Sequence, residues 1–252
     1  MSPIKGHSIL IIGGSSGIGA AVAKLAAGQG AHISIASSNP DRVANAVQEL
    51  QRVVPAAQVK GYTCDLAHKD VEHQLESLLT KVTAATGGRL NHIIYTAGVF
   101  NPLPLNAVTI DSLTSSGQVG YFGPLLLAKL APRFVNKSYR SSLIFTSGRI
   151  AEKPIPNTTV AAGWGSALSG MTRGLALDLA PIRINVVSPG ITDTSMYGPD
   201  AQRGPMMQMF AKSALLGKVG EVEEVAEAYI YLMRDTNNTG STVNTSGGIL
   251  LQ

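Results

Sequence analysis

Short apolar blocks alternate along the chain with longer stretches in which apolar residues recur every three or four positions. The blocks Ser8–Ile12, His32–Ala36, Val59–Thr63, His92–Tyr95, Ser142–Thr146 and Arg183–Ser188 read as strands. The stretches between them read as helices: an Ala-rich run to about Gln29, Asp41–Val53 behind Pro40, Val71–Val82, Asp111–Phe134 and Thr159–Leu179. Regular alternation of strand and helix predicts an α/β fold, a doubly wound parallel sheet with helices on both faces. Right-handed crossovers then bring the ends of strands one and four to a topological switch point, where such sheets bind ligands. Linkers, repeats and low-complexity tracts are absent, so residues 1–252 are expected to form a single domain.

Composition changes this picture little. A chain of 252 residues can bury a substantial core without metal or disulfide, and the one cysteine, Cys64, points to a reducing compartment. The net charge of +4 is dispersed, without the basic run of a nucleic-acid surface. Neither a leader nor a membrane span is evident, so the expected location is cytoplasmic, with no membrane partner. Charged residues make up only 14% of the chain, which fits a surface partly covered by another subunit. The five histidines, His7, His32, His68, His73 and His92, lack metal-ligand spacing and are expected at strand edges or helix surfaces, so no metal is anticipated.

The first strand ends in Gly13-Gly14-Ser15-Ser16-Gly17-Ile18-Gly19. A phosphate approaches backbone closely only where side chains are absent, and a following helix start offers free N–H groups and positive potential. Gly13, Gly17 and Gly19, with Ser15, Ser16 and Ile18 between them, meet both needs, although the spacing differs from the commoner G-x-G-x-x-G.

Together with later motifs, this turn resembles the short-chain dehydrogenase/reductase superfamily along essentially the whole chain. Cys64-Asp65-Leu66 matches the motif that contacts adenine, and Thr96-Ala97-Gly98 the end of the family's Asn-Asn-Ala-Gly. Arg183-Ile184-Asn185-Val186-Val187-Ser188-Pro189-Gly190 matches the segment that flanks nicotinamide, with Thr192 and Thr194 beyond it. Gly217-Lys218-Val219-Gly220 and Gly247-Gly248 fit its C-terminal landmarks. The resemblance implies that Gly13, Ser15, Ser16, Gly17, Ile18, Gly19, Asp65, Leu66, Ala97, Gly98, Pro189, Gly190, Thr192 and Thr194 contact a nicotinamide dinucleotide. At the end of strand two, an acid would bind the ribose 2′-OH of NAD. The chain has Ser37, Ser38 and Asn39 there, with Arg42 a turn later, which favours NADP(H).

The family's Asn-Ser-Tyr-Lys site is mostly missing. Ser147 matches the serine, but Val160 stands at the Tyr position, Trp164 at the Lys position and Gly120 at the Asn position. Valine offers no proton, and an indole N–H does not titrate in water. Three readings follow. An acceptor already cationic, an iminium or C=N group, would need no acid at the reacting centre, with Ser147 and Trp164 bordering the substrate. This pattern resembles divergent fungal reductases of indole-alkaloid pathways, some of which also guide a cycloaddition. Ala161 departs from them, since they carry an acid at the position after the lost Tyr, so coupled cyclisation stays open. In the second reading, a carbonyl reductase uses a substitute donor: Tyr95, Tyr121, Tyr197 or Arg149. In the third, a non-redox cyclase or cofactor-binding sensor consumes nothing.

The chain is expected to be an NADP(H)-dependent reductase acting on an aromatic, alkaloid-like small molecule. The Met-, Gly- and Pro-rich segment Thr194–Ser213 is expected to form a mobile lid. Family resemblance further implies a homo-oligomer, dimer or tetramer, built through the Asp111 and Thr159 helices.

Overall fold

The computed structural model describes residues 3–252. Seven strands, β1 (Ser8–Ile12), β2 (His32–Ser37), β3 (Val59–Thr63), β4 (His92–Tyr95), β5 (Ser142–Thr146), β6 (Arg183–Pro189) and β7 (Thr242–Thr245), form one sheet. Their order is β3-β2-β1-β4-β5-β6-β7 and every pairing is parallel. The switch point lies between β1 and β4, as the alternation implied. Eight helices flank the sheet: α1 (Gly17–Gly28), α2 (Pro40–Val53), α3 (Val71–Thr86), α4 (Ile110–Gly117), α5 (Gly123–Phe134), α6 (Thr159–Asp178), α7 (Asp200–Ala211) and α8 (Val222–Arg234). None of the described helices is long and apolar enough to cross a membrane.

Two cores lie on opposite sheet faces. On one, alanines 21, 23, 26 and 27 of α1 pack with Val225, Tyr229 and Met233 of α8 over Ile9, Ile11 and Ile33. On the other, α3, α5 and α6 cover Leu10, Ile93, Leu143 and Ile184.

Asp111–Phe134 is helical throughout, as its periodicity predicts, but it changes register on the way. α4 ends at Gly117, residues 118–122 follow in a π turn, and α5 starts at Gly123. Pro124 explains the register change, because it lacks an N–H and its ring crowds the carbonyl one turn back. The shifted register pairs the Gly123 N–H with the Gln118 carbonyl. This frees the Val119 carbonyl to accept the buried Tyr95 hydroxyl at 2.6 Å.

His92 corrects the expectation of surface histidines. It is fully buried in β4, 3.0 Å from His7 Nδ1 through Nε2 and 2.9 Å from Ser142 Oγ through Nδ1. Burial, His7 and Arg183 hold its pKa well below the ordinary 6.5, while burial and Arg140 lower that of His7. The unfolded chain therefore takes up protons below pH 6.5 that the folded chain refuses. The denaturant midpoint should stay level above that pH and fall below it. His92 alone contributes a slope of about 1.4 kcal/mol per pH unit. A level midpoint down to about pH 5 would contradict this linkage.

Candidate functional site

The turn after β1 is shaped by its glycines. Gly13 and Gly17 have φ of +91° and +53°. A Cβ on Gly13 would lie 2.5 Å from the Ala97 nitrogen, and one on Gly19 would lie 2.4 Å from the Gly13 carbonyl oxygen and 2.5 Å from Thr96 Oγ1. Thr96 and Ala97 in turn donate their backbone N–H groups to the Ile12 carbonyl, fixing the β4 end against the turn. Ser16 precedes α1 without a side-chain cap, and the first turn carries no acid. The N–H groups of residues 15–19 have no partner among the described residues. A helix start with this many open donors is a ready anion site.

The other expected cofactor residues gather around this cradle to different degrees. Thr194 lies over it, with its methyl 3.3 Å from where a Gly17 Cβ would be. Gly190 leaves room for Ser246, whose Cα would stand 2.7 Å from an added Cβ. Pro189 ends the buried β6, and Thr192 is buried with its hydroxyl on the Gly190 carbonyl. Gly98 is exposed just beyond β4. Asp65 caps its own turn by accepting from the Ala67 N–H, and Leu66 points into the core, so only its backbone faces outward. Asn39 is committed to capping α2, accepting from the Arg42 N–H at 2.9 Å. Ser37 and Ser38 carry hydroxyls without a partner among the described residues, and Arg42 is exposed nearby. Open backbone donors, side-chain-free approaches and free hydroxyls at the end of β2 fit a phosphorylated dinucleotide.

Ser147 follows β5, its N–H donating to Val187. Its hydroxyl donates to the Gly165 carbonyl at 3.1 Å. Val160 and Trp164 share one face of α6. The indole stacks on Tyr121 (centroids 5.2 Å, 26°) and meets Phe122 edge-on at 5.6 Å. Its Nε1 donates to Ser116 Oγ at 3.2 Å. Gly117 makes room for it, since a Cβ there would sit 2.9 Å from the indole.

The substitute donors fare differently. Tyr95 is buried, its proton is given to Val119, and burial pushes its pKa far above the ordinary value. It cannot face a substrate. Tyr197 packs edge-on against Phe210, and burial raises its pKa while Arg149 pulls it down. The segment Thr194–Ser213, expected as a lid, holds helix α7, whose Met207 packs with Ile191 and Ile249. Arg203 ties it to Asp193 at 2.7 Å. Glu152 escaped the sequence reading. Its Oε1 stands 3.4 Å from the buried Ser188 Oγ, on the strand beside Ser147. No spacing rule flags it, because the turn Arg149–Ala151 after β5 brings it there. Among the described residues, no cluster of His, Cys, Asp or Glu could hold a metal.

Residues 3–252 match the family described as "SDR-like rossmann domain". The chain belongs to the short-chain dehydrogenase/reductase family. As a member it is built on the Rossmann fold that binds a nicotinamide cofactor. It is similar to the short-chain dehydrogenase/reductase ATR9 of Stachybotrys chlorohalonatus, with 49% identity over all of both chains. It is also similar to the solved MalC reductase/Diels–Alderase of Malbranchea aurantiaca, with 36% identity, a TM-score of 0.92, and 99% of this chain and 98% of that one covered. A small-chain dehydrogenase solved in complex with NADPH matches at 28% identity and a TM-score of 0.79, over 98% of this chain and 100% of that one.

Proposed function

We propose that this short-chain dehydrogenase/reductase is an NADP(H)-dependent reductase of a secondary metabolite, acting on an iminium or C=N group in an alkaloid-like molecule. One observation carries the reading: a valine, Val160, stands where the family's acid belongs, on the helix whose Gly165 carbonyl accepts a hydrogen bond from the retained Ser147 hydroxyl. Similarity to a reductase/Diels–Alderase supports a coupled ring closure as a second activity, although Ala161 offers no acid for it.

The chain's own residues would act as follows. The N–H groups of residues 15–19 hold the pyrophosphate, and Ser37, Ser38 and Arg42 hold the 2′-phosphate. Asp65, the Leu66 backbone, Ala97 and Gly98 meet the adenine and its ribose, while Pro189, Gly190, Thr192 and Thr194 hold the nicotinamide end. Bound NADPH supplies a hydride. The Glu152 carboxylate adds negative potential behind Ser188, and Trp164, stacked on Tyr121, borders the substrate. Reduction of an iminium yields a neutral amine and asks no residue for a proton. A ketone would produce an alkoxide here without a donor, a loss of about 10²–10⁴ in rate.

The test follows NADPH absorbance with cyclic iminium salts and matched ketones. Iminium turnover should exceed ketone turnover by at least roughly 10². Equal rates would return the site to a carbonyl reductase with Tyr121, Tyr197 or Arg149 as donor. Tight NADPH binding without consumption would make it a sensor or a non-redox cyclase. A second-order expectation is a homo-oligomer in solution, tested by sedimentation.

A further inference from the structure

We infer that Arg203 is a positioning residue for the dinucleotide: its guanidinium shuts the neck of the segment between Asp193 and Asp200, which keeps Thr194 over the phosphate turn and slows release of the bound cofactor. This role rests on the reading that places Thr194 at the cofactor, and is independent of which group is reduced.

The geometry is a loop closed at its base. Arg203 Nε stands 2.7 Å from Asp193 Oδ1, and Nη2 stands 2.6 Å from Asp200 Oδ1. Nη1 reaches the Gly198 carbonyl at 3.5 Å. One side chain therefore touches the start, the far bend and the end of the segment. A planar guanidinium suits this task, because its donors point in fixed directions. Gly198 makes the bend with φ of +96°, a conformation that favours glycine.

Asp193 is the fixed post. Its N–H donates to the Gly220 carbonyl, and the Gly220 N–H donates to the Ile191 carbonyl, each at 2.9 Å. Residues 194–199 have no such tether. Among the described residues their backbone hydrogen bonds run within the segment or to the first turn of α7, as in Tyr197 N–H to the Thr194 carbonyl and Gln202 N–H to the Pro199 carbonyl. What holds them down is apolar packing of Tyr197, Met207 and Phe210 with Ile191 and Ile249, and the Arg203 clasp. Thr194, next to the post, has its methyl 3.3 Å from where a Gly17 Cβ would be. A segment that swings from Asp193 lifts this residue off the turn.

Isolated surface ion pairs contribute little, but this one is a network on a guanidinium only 21% exposed. Its two carboxylates are unequal. Asp193 is half-exposed, whereas Asp200 is 90% exposed and solvent screens it. The clasp to Asp193 should carry most of the effect.

Stopped-flow mixing with NADPH gives its association rate, and displacement by excess NADP+ gives its release rate, both read from NADPH fluorescence. Arg203→Gln should speed release roughly three- to tenfold and change association by less than about twofold. Arg203→Lys keeps the charge without the fork and should fall between. Asp193→Asn decides between a clasp and a simple field. Neutralising an acid near bound phosphates would slow release if charge alone mattered, whereas opening the clasp speeds it. Asp200→Asn should change release by less than about twofold. Thr194→Ala should also speed release, and combining it with Arg203→Gln should give less than the product of the two effects, because both open one contact. Unchanged release in Arg203→Gln, or slower release in Asp193→Asn, would overturn the assignment. Fully independent effects of Arg203 and Thr194 would overturn it too, leaving Arg203 a residue of stability alone. If Thr194→Ala leaves release untouched, the placement of Thr194 fails; if it speeds release and Arg203→Gln does not, the clasp fails by itself.

Discussion

Gly19→Ala will abolish useful dinucleotide binding. The added Cβ would sit 2.4 Å from the Gly13 carbonyl oxygen and 2.5 Å from Thr96 Oγ1, both parts of the cradle itself. Relief requires moving the turn away from α1 or from the β4 end, and either shift turns the open N–H groups off the phosphates. Loss of two charge-assisted hydrogen bonds, at about 1.5–3 kcal/mol each, lowers affinity by roughly 10²–10⁴. Gly28→Ala is the control on the same helix, since its Cβ would meet nothing within 4 Å. Calorimetric titration with NADPH should show normal binding for Gly28→Ala and none for Gly19→Ala. Thermal unfolding separates this loss from misfolding, because overpacking costs the fold only about 1–3 kcal/mol. Normal NADPH affinity in a folded Gly19→Ala protein would remove the cradle from the account.

Ser37→Asp should reverse the cofactor preference. Ser37 closes β2 with a free hydroxyl, and its backbone carbonyl accepts the Cys64 N–H, so the new carboxylate would be fixed at the rim of the site. There it repels a 2′-phosphate and can accept from a ribose 2′-OH. A unit-charge repulsion near the surface is worth up to about 4 kcal/mol at contact distance, and less once solvent screens it. NADPH should weaken by roughly 10- to 100-fold, while NADH holds or improves. Comparing the two dissociation constants in wild type and variant decides it. A wild type that prefers NADH, or a variant that still prefers NADPH, would move the selecting residues elsewhere.

Much of the frame was legible because its signals are local. A glycine turn between a strand and a helix, six apolar blocks and their spacing carry the parallel sheet without tertiary information. α8 was not among the predicted elements, although Val222, Val225, Ala226, Tyr229 and Ile230 recur at helical spacing. α7 was not either, since Gly204 and Pro205 interrupt it and its apolar residues define no clear face. The π turn after Gly117 had its cause in view at Pro124, but the partner that makes it tolerable, the Tyr95 hydroxyl, comes from a strand. His92 failed for a related reason. A histidine within an apolar strand carries no mark of burial until His7 and Ser142 are brought to it.

The candidate site divides along the same line. Residue types at motif positions named Ser147 and Trp164, but not what each does with its hydrogen-bonding groups. That Ser147 spends its proton on Gly165, and that Glu152 reaches Ser188, are long-range facts.

The most direct measurement is the solvent deuterium isotope effect on kcat/KM for a cyclic iminium acceptor, followed from about pH 7 to 9, above the range in which the buried histidines weaken the fold. The account predicts an effect near unity and a level pH profile, because no side chain gives a proton to the reacting centre. A large normal isotope effect with a titrating limb in the profile would contradict it, and would show that a residue of this chain supplies the proton after all.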